Sequence, residues 1–418
     1  MIKIRNTIII LILLVLSFGS GFNLGKKSIP VFKKNTSGET VSMRGYDFTL
    51  FWDVWDRLKY YYIDKEKLDP LKLINGAISG MVSSLDDPYT VFLTPDQNKD
   101  VKDDLSGKFE GIGAQLGVKD KKIVIVAPLK KSPAESAGLK AGDWIIKVDG
   151  KDTVNWTLPE AVSKIRGPKG SQVVLTVLRT NSEKSEDFKV SRDEIKVPSV
   201  ELEVKNIECV NANEGKTVCK EEANITANTR KIYHLKLGRF GDNTNAEWNK
   251  IISQIVAQYS SGVDKGIIFD LRNNPGGYLT SSVYIASEFI GSGAVVIQEN
   301  ADGTKKTFNV DRKGKLINYP LVVLINKGSA SASEIVAGAL RVRNKIKLVG
   351  ETSFGKGTIQ EAQELPQGAG IHITTAKWLL PDGSWVNGDG LKVDEAVENK
   401  SDSEEDLQFL KAAEILLR

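Results

Sequence analysis

Between residues 231 and about 391, short apolar runs alternate with amphipathic stretches, and this alternation constrains the fold more than any other feature of the chain. Residues 267–271, 294–297, 321–325 and 346–349 read as short buried strands, bounded by turn residues. Residues 248–259, 279–290 and 333–342 repeat apolar side chains at helical spacing and lie between or beside them. Strands and helices in alternation predict an α/β core, and residues 409–417 add a final short helix.

The run at 321–325 is followed closely by Gly328-Ser329-Ala330-Ser331-Ala332-Ser333-Glu334, beyond which Val336, Ala339 and Leu340 restore a helical period. Ser331 then falls at or near a helix N-terminus, where unpaired N–H groups and the positive end of the dipole favour negative charge on a reacting oxygen. A lysine hemmed by glycines follows in Phe354-Gly355-Lys356-Gly357, and the pairing suggests a serine nucleophile with a lysine base. The only histidines, His234 and His372, sit in strand-like runs on the face opposite their apolar neighbours, so each reads as a half-exposed strand residue. A lysine base near neutrality needs about 3.4 kcal/mol of destabilised ammonium, which burial can supply and a close carboxylate opposes. Glu351 and Glu361 are therefore expected to point away from Lys356. Lys327 is nearer in sequence but precedes the serine turn. Asp270-Leu271-Arg272-Asn273-Asn274-Pro275-Gly276-Gly277 follows another buried strand; its paired glycines suit either a ligand-facing loop or a plain turn.

Net charge is +4, with 57 basic and 53 acidic residues dispersed along 418, so no nucleic-acid footprint is present. Residues 7–24 are apolar behind Lys3 and Arg5 and would span about 27 Å as a helix. This predicts a membrane anchor, or a cleaved export signal, with the remainder outside the cytoplasm. Cys209 and Cys219, the only cysteines, flank a polar turn and could pair across a hairpin or remain free thiols. No metal and no cofactor is expected.

Residues 48–92 read as helical, with Phe51, Val54, Trp55, Leu58 and Tyr62 on one buried face and Leu71, Ile74, Ala77, Ile78 and Met81 on another, until Asp86-Asp87-Pro88. Either face could also meet a partner helix. The next unit runs from about 104 to 192. It contains Phe109-Glu110-Gly111-Ile112-Gly113-Ala114, a strand at 122–127, an N-capped short helix in Ser132-Pro133-Ala134-Glu135-Ser136-Ala137-Gly138, a strand closing on Asp149-Gly150, a helix at 158–165 and a strand at 172–179. This ordered series resembles a PDZ domain. The resemblance implies capture of a peptide as an added strand, with its terminal carboxylate held by amides of Gly111, Ile112, Gly113 and Ala114.

Asn273-Asn274-Pro275-Gly276-Gly277, the Gly328–Ile335 serine run and Gly355-Lys356-Gly357-Thr358-Ile359-Gln360 occur in the order seen in carboxyl-terminal processing (tail-specific) proteases. Asp87-Pro88-Tyr89-Thr90 and the PDZ unit fit as well, whereas Leu379-Leu380 and Trp385-Val386 depart from the pattern. The resemblance implies a crotonase-like (Clp protease-like) α/β protease core with an inserted PDZ domain. The expected organisation is a signal anchor or signal peptide at 1–25, a spacer at 26–45, an N-terminal helical region at 46–103 and the PDZ domain at 104–192. A connecting segment with both cysteines follows at 193–230, then the protease core at 231–400 and a helix at 401–418. By motif position the dyad falls on Ser331 and Lys356, with Gln360 supporting the lysine; Gly276, Gly277 and Ala332 supply oxyanion amides, and Arg166 relays PDZ occupancy.

The implied activity is cleavage of exported or membrane proteins near apolar C-terminal tails, by a chain held at the membrane through its N-terminal segment. A homodimer or higher oligomer is compatible with the N-terminal helices. Two other readings stay open at this point: a catalytically silent PDZ scaffold, and an apolar-ligand binder on the same core.

Overall fold

Leu321–Ile325 is buried at every position, which only a central strand covered on both faces permits. It lies inside a seven-stranded sheet ordered Thr217–Glu221, Val200–Asn211, Arg230–Leu237, Asp264–Asp270, Leu321–Ile325, Lys347–Gly350 and Glu395–Ala396. From Arg230–Leu237 to Glu395–Ala396 every pairing is parallel, while the first two strands run antiparallel. Alternate side chains enter two cores. Leu321, Val323 and Ile325 join Ile267 and Phe269 beneath the helices Thr244–Gln258, Leu279–Ala286 and Ala332–Asn344. Val322, Leu324 and Ile268 face Phe409, Ala412 and Ala413 of the C-terminal helix Leu407–Leu417. The loops after Asp264–Asp270 and Leu321–Ile325 therefore emerge side by side at the carboxyl ends of neighbouring parallel strands, where open α/β sheets build their sites.

The computed structural model describes residues 42–43 and 46–418, apart from 120–121, 155, 180–183, 212–216, 224–225, 227, 261–263 and 400–404. The predicted apolar segment at 7–24 and most of the spacer lie outside the described residues, and among those described no helix is long and apolar enough to cross a membrane. Two compact units comprise residues 1–74 and 75–418. In the first, the helix Thr49–Tyr61 forms as its periodicity predicts, but no residue of it is buried. The face expected in a core, including Phe51, Val54 and Leu58, is exposed, and its aromatic rings pack on one another, Phe51 stacking on Trp55.

In the second unit a further sheet is wholly antiparallel: Lys305–Asn309, Ala294–Asn300, Gly370–Leu379 and Thr358–Glu364, with Val91–Leu93 added to Gly370–His372. Val91 and Phe92 end the stretch that reads as helical, but with Leu93 they extend, because they complete this sheet, where Phe92 packs with Val82 and Ala369. Thr94 opens a helix that the apolar pattern does not reveal, Pro95–Ser106, closed by a capping box with Gln97.

The sheet of the unit between about 104 and 192 is ordered Ser185–Ser191, Gln172–Leu178, Trp144–Val148, Lys122–Pro128 and Ala114–Lys119, so the last is an edge strand. The helix Leu158–Ile165 forms with the predicted bounds. Lys108–Gly111 and Asp193–Lys196 pair antiparallel where the chain enters and leaves. Val200–Asn211, expected within a connecting segment, pairs instead with Arg230–Leu237 as a full member of the core sheet. Cys209 lies directly opposite Cys219 on the neighbouring strand, and the two form a disulfide.

Phe269 is fully buried against Trp248 and Phe289. Phe269→Ala is expected to lower stability by about 3–5 kcal/mol, read as a drop in the urea midpoint.

Candidate active site

The turn after Leu321–Ile325 places Ser331 at φ 53° and ψ −114°, immediately before the helix Ala332–Asn344. A non-glycine residue holds so uncommon a conformation only where its surroundings over-determine it, and here they do. The Ser329 hydroxyl donates to Leu271 O at 2.8 Å, the Ser333 hydroxyl donates to Asn274 O at 2.9 Å, and Ala330 N–H donates to Asn274 O at 3.0 Å. Both flanking hydroxyls are thus buried and committed to the 271–274 backbone. Ser331, between them, is only half-buried.

Glu334, with no exposed surface, fastens this turn to the lysine loop. Its Oε2 accepts from Ser331 N–H at 2.8 Å and from Lys356 N–H at 3.0 Å. Its Oε1 accepts from the Ser353 hydroxyl and from Gly355 N–H, both at 2.6 Å. One carboxylate thereby joins the backbones of both dyad candidates. The sequence reading passed over Glu334, although Ser331-Ala332-Ser333-Glu334 carries the spacing by which a residue at the third helical position reaches back to the cap.

Lys356 is held from the other side by two tryptophans: Trp378 Nε1 donates to Lys356 O at 2.9 Å and Trp385 Nε1 donates to Gly357 O at 2.8 Å. A Cβ on Gly357 would collide with Trp385 Nε1, which explains the glycine. Among the described residues, Lys356 Nζ makes no hydrogen bond to Ser331 Oγ; it lies 4.8 Å from the centroid of the Tyr89 ring. Burial pushes the Lys356 ammonium below the usual lysine range, against an upward pull from Asp87 and Glu334. Glu351 and Glu361 are engaged elsewhere, Glu351 with Lys327 at 2.9 Å and Glu361 with Gln363 at 3.1 Å. Lys327 is held above its ordinary value by its hydrogen bond to Glu351. Gln360 turns its amide to Thr358 Oγ1 at 2.9 Å and Thr374 Oγ1 at 3.0 Å, rather than to the Lys356 amine.

The glycine loop faces the serine turn. A Cβ on Gly276 would come within 2.9 Å of Ser331 Cβ and 3.0 Å of Ala332 N, so only glycine permits the approach. Gly276 N–H is taken by Asn274 Oδ1 at 2.9 Å. Gly277 is exposed, and neither its N–H nor that of Ala332 has a hydrogen-bond partner among the described residues. Phe240 brackets this loop, donating to Gly276 O at 2.9 Å and accepting from Tyr278 N–H at 2.8 Å.

Neither histidine reaches Ser331 by a hydrogen bond among the described residues. His234 bonds Asp270 at 2.9 Å, within a cluster in which Arg272 spans Asp270 and Asp406. Burial works to raise the Asp270 carboxyl, but the hydrogen bonds from His234 and Arg272 outweigh it and hold it far below the usual range. His372 is shifted below its ordinary value by burial first and by the Lys356 charge second.

In the PDZ unit, Gly111 ends a strand opposite Asp193, and Ala114 begins the edge strand opposite Pro128. Between them, Ile112 and Gly113 have amides without a partner among the described residues, and Gly113 has φ +72° with a would-be Cβ 2.5 Å from Ser132 Cβ. Arg166 stacks 4.8 Å above Phe109 and reaches Asp100 of the Pro95–Ser106 helix at 3.6 Å, and its Cγ lies 3.7 Å from where a Cβ on Gly111 would stand.

Glu334→Ala strands four donors, of which the Ser353 hydroxyl and Gly355 N–H are buried at about 1–3 kcal/mol each, so stability is expected to fall by at least about 2 kcal/mol. Chemical denaturation measures this.

Comparison with known proteins agrees with this architecture. Residues 231–397 match the family model of Peptidase family S41, residues 124–179 a PDZ domain, and residues 26–97 the Activating protease CtpB N-terminal domain. Carboxy-terminal processing protease CtpA of Bacillus subtilis (strain 168) is 36% identical over 372 residues, covering 89% of this chain and 72% of that protein. Carboxy-terminal processing protease CtpB of the same organism is 38% identical over 328 residues, covering 78% of this chain but 63% of that protein. Among solved structures, the photosystem II D1 C-terminal processing protease superposes with a TM-score of 0.50 at 28% identity, covering 84% of this chain and 92% of that one. With its parallel sheet, its antiparallel companion and its PDZ unit, the chain belongs to the carboxyl-terminal processing proteases of peptidase family S41 and is a serine-type peptidase.

Proposed function

We propose that the chain is an endopeptidase that cleaves exported or membrane proteins near their C-termini, using Ser331 as nucleophile and Lys356 as base. The observation that carries this reading is the shared carboxylate oxygen: Glu334 Oε2 accepts from the amides of both residues, while the neighbouring serine hydroxyls are spent on backbone carbonyls. In the reaction, Lys356 Nζ takes the Ser331 proton as Oγ bonds to the scissile carbonyl carbon. The amides of Gly277 and Ala332 are the donors available to the oxyanion, since Gly276 N–H is already engaged. Collapse breaks the C–N bond, and the Lys356 ammonium protonates the leaving amine. Water then gives its proton to Lys356 and attacks the acyl ester, and Ser331 regains its hydrogen. Gln360 steadies the strand that follows the lysine, through Thr358 and Thr374.

Substrate tails enter as a strand against the exposed edge of Ala114–Lys119, with the carboxylate on the Ile112 and Gly113 amides. Arg166 reports occupancy to the Pro95–Ser106 helix, a role supported by its stacking on Phe109, just before this loop, and its pairing with Asp100. The apolar N-terminal segment and the disulfide support an extracytoplasmic, membrane-anchored protein. The exposed aromatic helix Thr49–Tyr61 supports self-association.

Protein lacking residues 1–25, given a reporter peptide with an apolar C-terminus, is expected to hydrolyse it, and Ser331→Ala or Lys356→Ala to lower kcat/KM on the order of 10³-fold or more. Hydrolysis surviving both substitutions refutes the dyad. Because burial lowers the Lys356 pKa and the base must be neutral, kcat/KM should rise with pH through a midpoint below ~10.4. Arg166→Ala is expected to remove stimulation by a PDZ-binding peptide while basal hydrolysis persists; unchanged stimulation sinks that role.

A further inference from the structure

We infer that Tyr89 is a positioning residue for the general base, its ring forming the cover that keeps water from Lys356 Nζ; this rests on the Ser331–Lys356 reading. The ring stands 4.8 Å from the amine, within the range of a cation–π contact. Tyr89 comes from a segment far from the lysine in sequence, and several bonds hold it there. Asp87 accepts from Tyr89 N–H at 3.0 Å and from the Thr90 hydroxyl at 2.6 Å. Thr90 Oγ1 accepts from Thr374 N–H at 3.0 Å, and Thr374 Oγ1 accepts from Gln360 at 3.0 Å. Val91–Leu93 then runs antiparallel to Gly370–His372. The turn bearing Tyr89 is thus clipped to the same strand pair that follows Lys356.

The Tyr89 hydroxyl has no hydrogen-bond partner among the described residues, so the aromatic face rather than the oxygen meets the lysine. That face suits the lysine's two states. It excludes water, which favours the neutral amine needed to take the serine proton, and its π-electrons favour the ammonium formed once the proton has moved. The charged and titratable groups facing the amine are Asp87, Glu334, His372 and Tyr89 itself. Asp87 and Glu334 pull the lysine towards the charged form, and burial outweighs them. Removing the ring opens the burial side of that balance while both carboxylates stay.

The test is the pH profile of kcat/KM on a reporter peptide, alongside the pH dependence of Ser331 labelling by a fluorophosphonate probe, in the parent, Tyr89→Ala and Tyr89→Phe. Tyr89→Ala is expected to move the acid-limb midpoint up by about one pH unit in both readouts, on the order of a tenfold loss below the midpoint. Tyr89→Phe keeps the ring and should keep the parental midpoint. An Ala midpoint that stays put, or a Phe midpoint that moves with it, overturns the cover, as does faster hydrolysis by Tyr89→Ala. If Lys356→Ala retains activity, the dyad itself fails, which is distinguishable because that result does not depend on Tyr89. Should Tyr89→Ala fail to fold, Tyr89→Leu in the same two assays decides: it retains bulk without a π-face, so its midpoint must fall below the parental value.

Discussion

A carboxylate with no exposed surface is costly to bury unless its lone pairs are filled, and Glu334 fills them with four donors drawn from two loops. Two of those donors are the amides of Ser331 and Lys356, and a third, Ser353, also binds Leu391 N–H. The strained serine conformation, the path of the 353–357 loop and the return of the chain near 391 are therefore consequences of satisfying one charge. Fully paired buried networks of this kind are rigid, because loosening any member leaves another unsatisfied. On the proposed dyad, residues carried by two loops gain from such a network the precision that secondary structure supplies elsewhere.

Electrostatics separates the two lysines that the chain brings to this region. Lys327 is exposed and paired with Glu351, which keeps it charged. Lys356 sits where burial opposes its charge, and the nearby Glu334 carboxylate is already occupied by backbone and hydroxyl donors rather than by the amine. Proximity in sequence to the serine turn alone favours Lys327, whereas burial singles out Lys356.

Much of this was legible in the sequence because it is local. The strand–turn–helix around Ser331 follows from an apolar run, small residues and restored helical periodicity, and the bounds of Leu158–Ile165 and Leu321–Ile325 emerge from pattern alone. The helix Pro95–Ser106 was missed because its inward contact is Asn98, bonded to Glu364 and Gly368, and not an apolar stripe. Val91–Leu93 is too short for any period to show, and only its partner strand explains it. The same holds for the site. Ser331 and Lys356 belong to recognisable local runs, and motif position singles out Ser331, but that the Ser329 and Ser333 hydroxyls are spent on Leu271 and Asn274 only the fold reveals. Likewise, no spacing argument links Tyr89 to Lys356.

The antiparallel pair Lys108–Gly111 and Asp193–Lys196 has a kinetic meaning for a processing enzyme. A recognition module strung on one flexible linker samples a broad cloud of positions, and the local concentration of its cargo falls with linker length. Here the module is attached by a two-stranded ribbon, and Arg166 ties it to Asp100 beside that ribbon. For the tail capture proposed above, the reach between a bound tail and the cleaved bond would then be set by this ribbon and not by the length of a linker. Cleavage on the proposed reading would be metered by distance from the end of the substrate, as a ruler would do, more than by the residues flanking the bond.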